Sequence, residues 1–292
     1  MIGLGVKVMD LSIIQLAAFL TVGIIATSYG VLVGAGGGFI IGPILILVFG
    51  WENKEAVGTS LVCVSVASIS GAISYLRLKI VDIRSALLFS IAAMPGAILA
   101  VIGLEKVNSA LFNILFSIIL ILTGLYVFWS PSKSEIMTSE ENKITSKNKR
   151  GWWRVYRTIT PTTGEYFKYN FIEPTATAIN TLFGFISSFF GIGGGPVRTP
   201  TLVYFFNFPV KVATATSIAT MSIYTIFGSV AHYIHGNVNT QAVLPLGVGA
   251  IIGSQFGVII SKRLKGRLMM KLLSFAMIAI AISIGIEGFR EL

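Results

Sequence analysis

The glycine triplet Gly36-Gly37-Gly38 returns as Gly193-Gly194-Gly195, and the residues around it return in step, 157 positions later. The same shift places Gly34 on Gly191, Pro43 on Pro200, Phe49 on Phe206, Lys54 on Lys211 and Ala56 on Ala213. It also places Thr59 on Thr216, Ser60 on Ser217, Ser65 on Ser222, Gly71 on Gly228 and Gly96 on Gly253, without a gap. The matched types are mostly glycine, proline, lysine and hydroxyls, which a shared greasy composition would not align. The chain is a duplication, and each copy has its least helical point at the same place. Duplication with a broken helix in each copy points to secondary transporters, where the break often forms the substrate site.

Hydrophobic residues make up 54% of the chain and charged residues 12%, with a mean hydropathy of +0.83. A soluble domain carries about twice that charged fraction. Apolar stretches run over 11–33, 57–76, 83–104, 107–129, 171–190, 213–234, 240–261 and 268–289. Each is near or above the ~20 residues that cross a bilayer as a helix. Two shorter runs, 39–49 and 197–206, directly follow the triplets. The fold class is therefore an all-α polytopic membrane protein. It has two inverted repeats of about five helical segments each, with short or re-entrant helices after the triplets. Whether the short runs span or re-enter stays open. The domains read as 1–130, the first transmembrane repeat; 131–170, a cytoplasmic linker; and 171–292, the second repeat.

The inversion rests on charge. If each short run returns the chain to the side where its preceding helix began, 16 of the 22 basic residues share one side. They are Arg77, Lys79, Arg84, the eight of the central loop from Lys133 to Lys168, Lys211 and the group from Lys262 to Arg267. The other side holds Lys7, Lys54, Lys106 and Arg290. The positive-inside rule makes the richer side cytoplasmic and both termini external. The net charge of +10 thus lies in loops between membrane segments and does not indicate nucleic acid. Cys63 is the lone cysteine, so no intramolecular disulfide forms. Lacking a small-residue cleavage pattern, 11–33 reads as a retained helix. Alternation on both sides of Pro161-Thr162-Thr163-Gly164 predicts a short β-hairpin in the linker. The stretch 132–149 reads as mobile, and Trp152 and Trp153 as an interfacial anchor.

The chemistry falls on few residues. A glycine turn ahead of a short helix presents consecutive N–H groups and the positive end of a helix dipole, which favour an anion. Gly36, Gly37, Gly38, Gly193, Gly194 and Gly195 are therefore substrate-binding candidates, and triplets entering from opposite faces would meet near the midplane. The competing reading is close helix packing. Arg198 lies in an apolar run, and its repeat partner is Ile41. No acid lies inside any segment, so its counter-ion is either the substrate or, if it snorkels, the interface. Thr59, Ser60, Thr216 and Ser217 open the third segment of each half, either as oxyanion donors or as helix caps. Ser65, Ser68, Ser222 and Thr225 line a path or bond their own backbone. Lys54 and Lys211 gather anions or snorkel. Asn180 and Gln255 are candidate interhelical glue. His232 and His235 lack a third ligand for a metal. No catalytic set, metal motif, cofactor fingerprint or P-loop is apparent, so the chain does not read as an enzyme.

Gly34 to Pro43 followed by Ala56-Val57-Gly58-Thr59-Ser60, echoed by Gly184 to Pro196 and Ala213-Thr214-Ala215-Thr216-Ser217, resembles the paired signature of the sulfite exporter TauE/SafE family. The likeness covers nearly the whole chain apart from the linker. It implies a membrane permease for small sulfur oxyanions such as sulfite or sulfonates. The chain then reads as a secondary transporter of sulfite, sulfoacetate or other sulfonates in the cell membrane, in the export direction because a negative interior repels anions. Its partners would be a small anionic substrate, membrane lipid and a possible second copy of itself. A passive anion channel and a non-transporting scaffold are the alternatives.

Overall fold

The computed structural model describes residues 12–130, 153–162, 164, 166–290. Lys7, the 132–149 stretch, Arg150 and Trp152 lie outside the described residues. The elements are α1 (Ile13–Leu32), α2 (Gly38–Leu47), α3 (Asn53–Arg77), α4 (Ile83–Leu104) and α5 (Ser109–Trp129), then β1 (Arg154–Ile159) and β2 (Phe167–Ile172). They continue as α6 (Glu173–Phe190), α7 (Gly195–Tyr204), α8 (Val210–Ile234), α9 (Thr240–Arg263) and α10 (Gly266–Arg290). Adding 157 to the bounds of α2 and of α3 gives those of α7 and of α8. Among the described residues seven helices are long and apolar enough to cross a membrane: α1, α3, α4, α5, α8, α9 and α10.

Two sequence readings need correction. The apolar stretch 171–190 starts late: residues 171 and 172 belong to β2, and the 18-residue α6 opens on Glu173-Pro174; it falls outside that set of seven. The long helices α3 and α8 begin before their apolar stretches, at Asn53 and Val210, because helical hydrogen bonding continues into the polar interface. Thr59, Ser60, Thr216 and Ser217 consequently sit one to two turns inside their helices and are not caps. The cap positions are Glu52 and Pro209, and side-chain caps occur instead at Asp82 for α4 and Asn239 for α9.

Packing follows the repeat. Helix α1 lies on α9 as α6 lies on α4; α3 packs on α8 and α5 on α10 at the centre of the relation. Close approach comes from small residues. A Cβ on Gly249 would strike the Leu20 carbonyl, and one on Gly184 the Ala93 carbonyl. Such contacts let apolar helices gain dispersion energy where lipid gives no hydrophobic drive.

The hydrogen bonds define two ends. At one, Asn53 reaches the Ser109 carbonyl, Lys54 pairs with Glu105, and Asn239 N donates to Thr59 Oγ1. At the other lies the β-hairpin, with Arg154 paired to Ile172 and Ile159 to Phe167. Its Arg157 bonds Glu173 at 2.7 Å, its Tyr169 hydroxyl donates to Asp82 at 2.7 Å, and its turn bonds the end of α3 through Thr162 N and the Leu78 carbonyl. Phe208, between α7 and α8, packs against Tyr169 and Phe171 with ring centroids 4.4 and 4.8 Å away.

Candidate anion-binding site

Ten residues of helix rise only about 15 Å, half the hydrocarbon core. Helices α2 and α7 are thus half-helices. After α1, the chain turns back at the first triplet and descends beside it until Phe49 and Trp51 meet Phe19, with centroids 4.7 and 5.8 Å away. Helix α7 turns back in the same way on α6. Both turns use the left-handed region at the N-cap: Gly37 has φ 100° and Gly194 φ 70°. A side chain is strained there, which explains glycine at these two positions.

The two triplet loops meet inside the bundle. A Cβ on Gly38 would fall on the Gly191 carbonyl, and one on Gly195 on the Gly34 carbonyl. Gly36 and Gly193 both face Val64 and Met221, near the middle of α3 and α8. The amides of Gly37, Gly38, Gly194 and Gly195 have no protein acceptor among the described residues. Packing and donor exposure are therefore both present: the loops touch tightly on one side and carry unspent N–H groups.

The serines of the hydroxyl pairs clasp these loops across the repeat, and the threonines hold the turns ahead of α9 and α4. Ser60 Oγ donates to the Gly191 carbonyl at 2.9 Å, and its partner Ser217 Oγ donates to the Gly34 carbonyl at 3.1 Å. Thr59 Oγ1 accepts from Asn239 N at 3.0 Å, and Thr216 Oγ1 from Asp82 N at 3.1 Å. Every atom in one clasp is the repeat partner of an atom in the other.

Arg198 does not snorkel. It is fully buried, one turn into α7, and its backbone N–H bonds the Gly194 carbonyl. Its Nε donates to Asn180 Oδ1 at 2.7 Å, while Nη1 and Nη2 have no partner. The guanidinium carbon lies 4.8 Å from the Tyr224 ring centre and 5.9 Å from that of Phe183. The Tyr224 hydroxyl bonds the Gly193 carbonyl and Ser187 Oγ, tying the second triplet to the same cluster. Burying a charge costs several kcal/mol even after relaxation. One charge-assisted hydrogen bond returns about 1.5–3 kcal/mol, and a desolvated cation–π contact about 2. Two unsatisfied NH2 groups remain, forming the fork that fits an oxyanion.

Sequence reasoning found Arg198 and read Asn180 as interhelical glue, but did not join the two and missed Phe183, Ser187 and Tyr224 beside them. The signal was in the repeat: Asn180, Phe183, Ser187, Arg198 and Tyr224 stand where the first copy has Gly23, Ala26, Gly30, Ile41 and Ala67. A polar cluster occurs in one half and small or aliphatic residues in the other.

Most of the remaining candidates make hydrogen bonds within or between helices, while Ser68 Oγ has no partner among the described residues. Gln255 Nε2 bonds Ser70, and Gln255 Oε1 accepts from Ser74, joining α9 to α3. Thr225 bonds the Met221 carbonyl one turn back, and Ser222 the Ala219 carbonyl; Ser65 and Ser68 are buried in α3. His232 Nε2 bonds the Ser188 carbonyl and His235 Nδ1 that of Ala231; among the described residues no cluster of three His, Cys, Asp or Glu could hold a metal. Lys54 is engaged with Glu105.

Seven apolar helices and two broken-helix loops that meet inside the bundle define a multi-pass membrane protein of transporter architecture. The chain belongs to the sulfite exporter TauE/SafE family, which it matches over residues 19–284. It is 30% identical to the probable membrane transporter protein YunE of Bacillus subtilis over 91% of this chain and 96% of that protein. It is 26% identical to the probable membrane transporter protein MJ0441 of Methanocaldococcus jannaschii, over 90% and 92%. A further relative, also a probable membrane transporter protein, from Xylella fastidiosa, is 26% identical over 90% of each chain. No solved structure matches.

Proposed function

We propose that this chain is a secondary transporter that exports small sulfur oxyanions, such as sulfite, sulfoacetate or other sulfonates. The observation that carries the reading is the buried Arg198 guanidinium with both Nη groups unpartnered beside the second triplet. Arg198 and the amides of Gly193, Gly194 and Gly195 bind the anionic group. Gly36, Gly37 and Gly38 complete the central constriction from the other half. Ser60 and Ser217 hold the loops in this conformation and release them when the halves move, while Thr59 and Thr216 hold the neighbouring turns ahead of α9 and α4.

We also read the halves as inverted. The start of α3 and the α8–α9 turn share one end, while the hairpin and the start of α6 share the other, which supports this. The hairpin end is the cytoplasmic one, since it carries the larger share of lysine and arginine. A negative interior then drives anions outward by about 2.3 kcal/mol per charge for each 100 mV.

The test is anion binding by purified protein against sulfite, sulfoacetate, thiosulfate, sulfate and carboxylates. Arg198→Gln should weaken the cognate anion by about ten- to a hundredfold, the equivalent of one charged hydrogen bond. Arg198→Lys should recover part of it, because the charge returns without the fork. Equal affinities in all three proteins remove Arg198 from the site. Saturating flux in proteoliposomes separates a carrier from a passive channel.

A further inference from the structure

The two copies share a latch and fill it differently. In the first, the Tyr75 hydroxyl near the end of α3 donates to the Val31 carbonyl at 3.1 Å. The partners of Tyr75 and Val31, 157 residues on, are His232 and Ser188. His232 Nε2 lies 2.9 Å from the Ser188 carbonyl, so the same bond closes in the second copy. Around it Val31 and Ala72 give way to Ser188 and Ser229. Tyr75, whose hydroxyl also bonds Ser261, gives way to a ring with a second nitrogen.

Three atoms of the second latch, Ser188 Oγ, Ser229 Oγ and His232 Nδ1, have no hydrogen-bond partner among the described residues. Ser188 and His232 are 0% exposed and Ser229 8%. A helical side chain leans back over the preceding turn. The His232 ring therefore lies over Gly228 and Ser229, and a Cβ on Gly228 would strike Ser188 Oγ. These atoms continue the polar cluster of Arg198. Ser187, next to Ser188, accepts from the Tyr224 hydroxyl, and Tyr224, Gly228 and His232 follow at successive turns of α8. The file ends at Asn237, away from the hairpin, whose N–H bonds the His232 carbonyl and whose side chain donates to Glu105.

His232 supplies what Arg198 lacks. A carbonyl only accepts, so Nε2 carries the ring proton, and Nδ1 of the neutral imidazole presents a lone pair. Among the described residues it is the one buried, unpartnered side-chain atom that can only accept; the others are hydroxyls or guanidinium nitrogens. Arg198 and the triplet amides only donate, so they cannot read a proton on a ligand oxygen. The ionisable groups whose charges reach His232 are Glu105 and His235. Glu105 is bonded by Lys54 and Asn237, and His235 Nδ1 by the Ala231 carbonyl.

We propose that Ser188, Ser229 and His232 form a second ligand station that takes the O–H group of a small, singly protonated oxyanion: hydrogensulfite rather than the sulfite dianion. The ligand O–H donates to Nδ1, and the serine hydroxyls donate to its other oxygens. Naming sulfite rests on the transport reading above; the demand for an O–H does not. A water molecule offers the same group, and the test separates the two.

The probe is sulfite below neutral pH, where hydrogensulfite predominates, against methanesulfonate, which has the same charge and no O–H. Each is titrated by calorimetry into full-length protein in phosphatidylcholine nanodiscs. The wild type should prefer hydrogensulfite severalfold, up to about tenfold, the equivalent of one neutral hydrogen bond. His232→Tyr, which copies the first half's latch and removes the lone pair, should abolish that preference. His232→Gln, which still donates to the Ser188 carbonyl and has no acceptor at the Nδ1 position, should do the same, and melting curves identify the folded variants. A preference retained in a folded variant overturns the station and leaves a water there; so does a wild type with no preference. The two readings fail separately. Saturable sulfite flux in proteoliposomes with a preference indifferent to His232 keeps the transporter and removes the station. Absent flux with a His232-dependent preference does the reverse.

Discussion

At the scale of single residues, tight glycine packing and ligand binding make different demands. A Cβ at Gly195 meets the Gly34 carbonyl and Ala35, whereas one at Gly247, inside α9, meets nothing within 4 Å. Gly195→Ala should therefore lower thermal stability, by about 1–3 kcal/mol of overpacking. Gly247→Ala should leave it unchanged or raise it slightly through helix propensity. Melting curves of the two purified variants check this, and equal melting would mean the loops do not touch as described. Gly37→Val cannot test anion binding cleanly. Its Cβ would lie 2.9 Å from the Ala26 carbonyl at a φ of 100°, so the fold fails before the site does. Arg198 was legible because a charge inside an apolar run stands out. Tyr224 was not, because an aromatic residue in a membrane helix is ordinary, and only its repeat partner Ala67 sets it apart.

At the scale of elements, the hairpin is anchored through buried polar groups rather than area alone. Asp82 caps α4, accepts from Ser85 Oγ and from Tyr169, and offers its own N–H to Thr216. Tyr169→Phe should cost about 1–3 kcal/mol, since it removes a donor to a buried carboxylate. Proteolysis within the hairpin should speed up accordingly; an unchanged rate would show that ring packing on Phe208 suffices. Burial, then the Asp82 charge, push the Tyr169 phenol above its usual pKa, so this anchor holds through neutral pH and is lost only in strong alkali. The far end behaves oppositely. Bonds from Lys54 and then Asn237 hold the Glu105 carboxyl below its usual pKa. That contribution is present above the ordinary carboxylate range and is lost as pH falls through the depressed value. The wild type should thus lose a small increment of stability on acidification that Glu105→Gln lacks, small because the pair is about a third exposed. Parallel acid melts of the two proteins measure it. Alternating residues about a Pro-Thr-Thr-Gly turn made the hairpin readable in the sequence. Its docking on Asp82 was not, because partners 87 positions apart leave no local trace.

At the scale of the whole molecule, a cysteine at Lys168 on the hairpin and one at Lys106 beyond α4 should label from opposite faces of intact cells. The native Cys63 is fully buried and stays silent. Labelling from one face would overturn the inverted arrangement. Duplication and helix count were readable because the repeat runs without a gap, while the clasps between halves required coordinates. Ser60 reaches Gly191 and Ser217 reaches Gly34, so each loop is held by the other half's long helix and by the same pair of positions. Under the inverted arrangement, a half-length chain inserted both ways round would close both clasps from a single set of residues. The ancestor implied is a dual-topology dimer of identical small subunits. Fusion of two such copies would fix one in each orientation and let a guanidinium be present once, at Arg198, with Ile41 at the matching position of the other half.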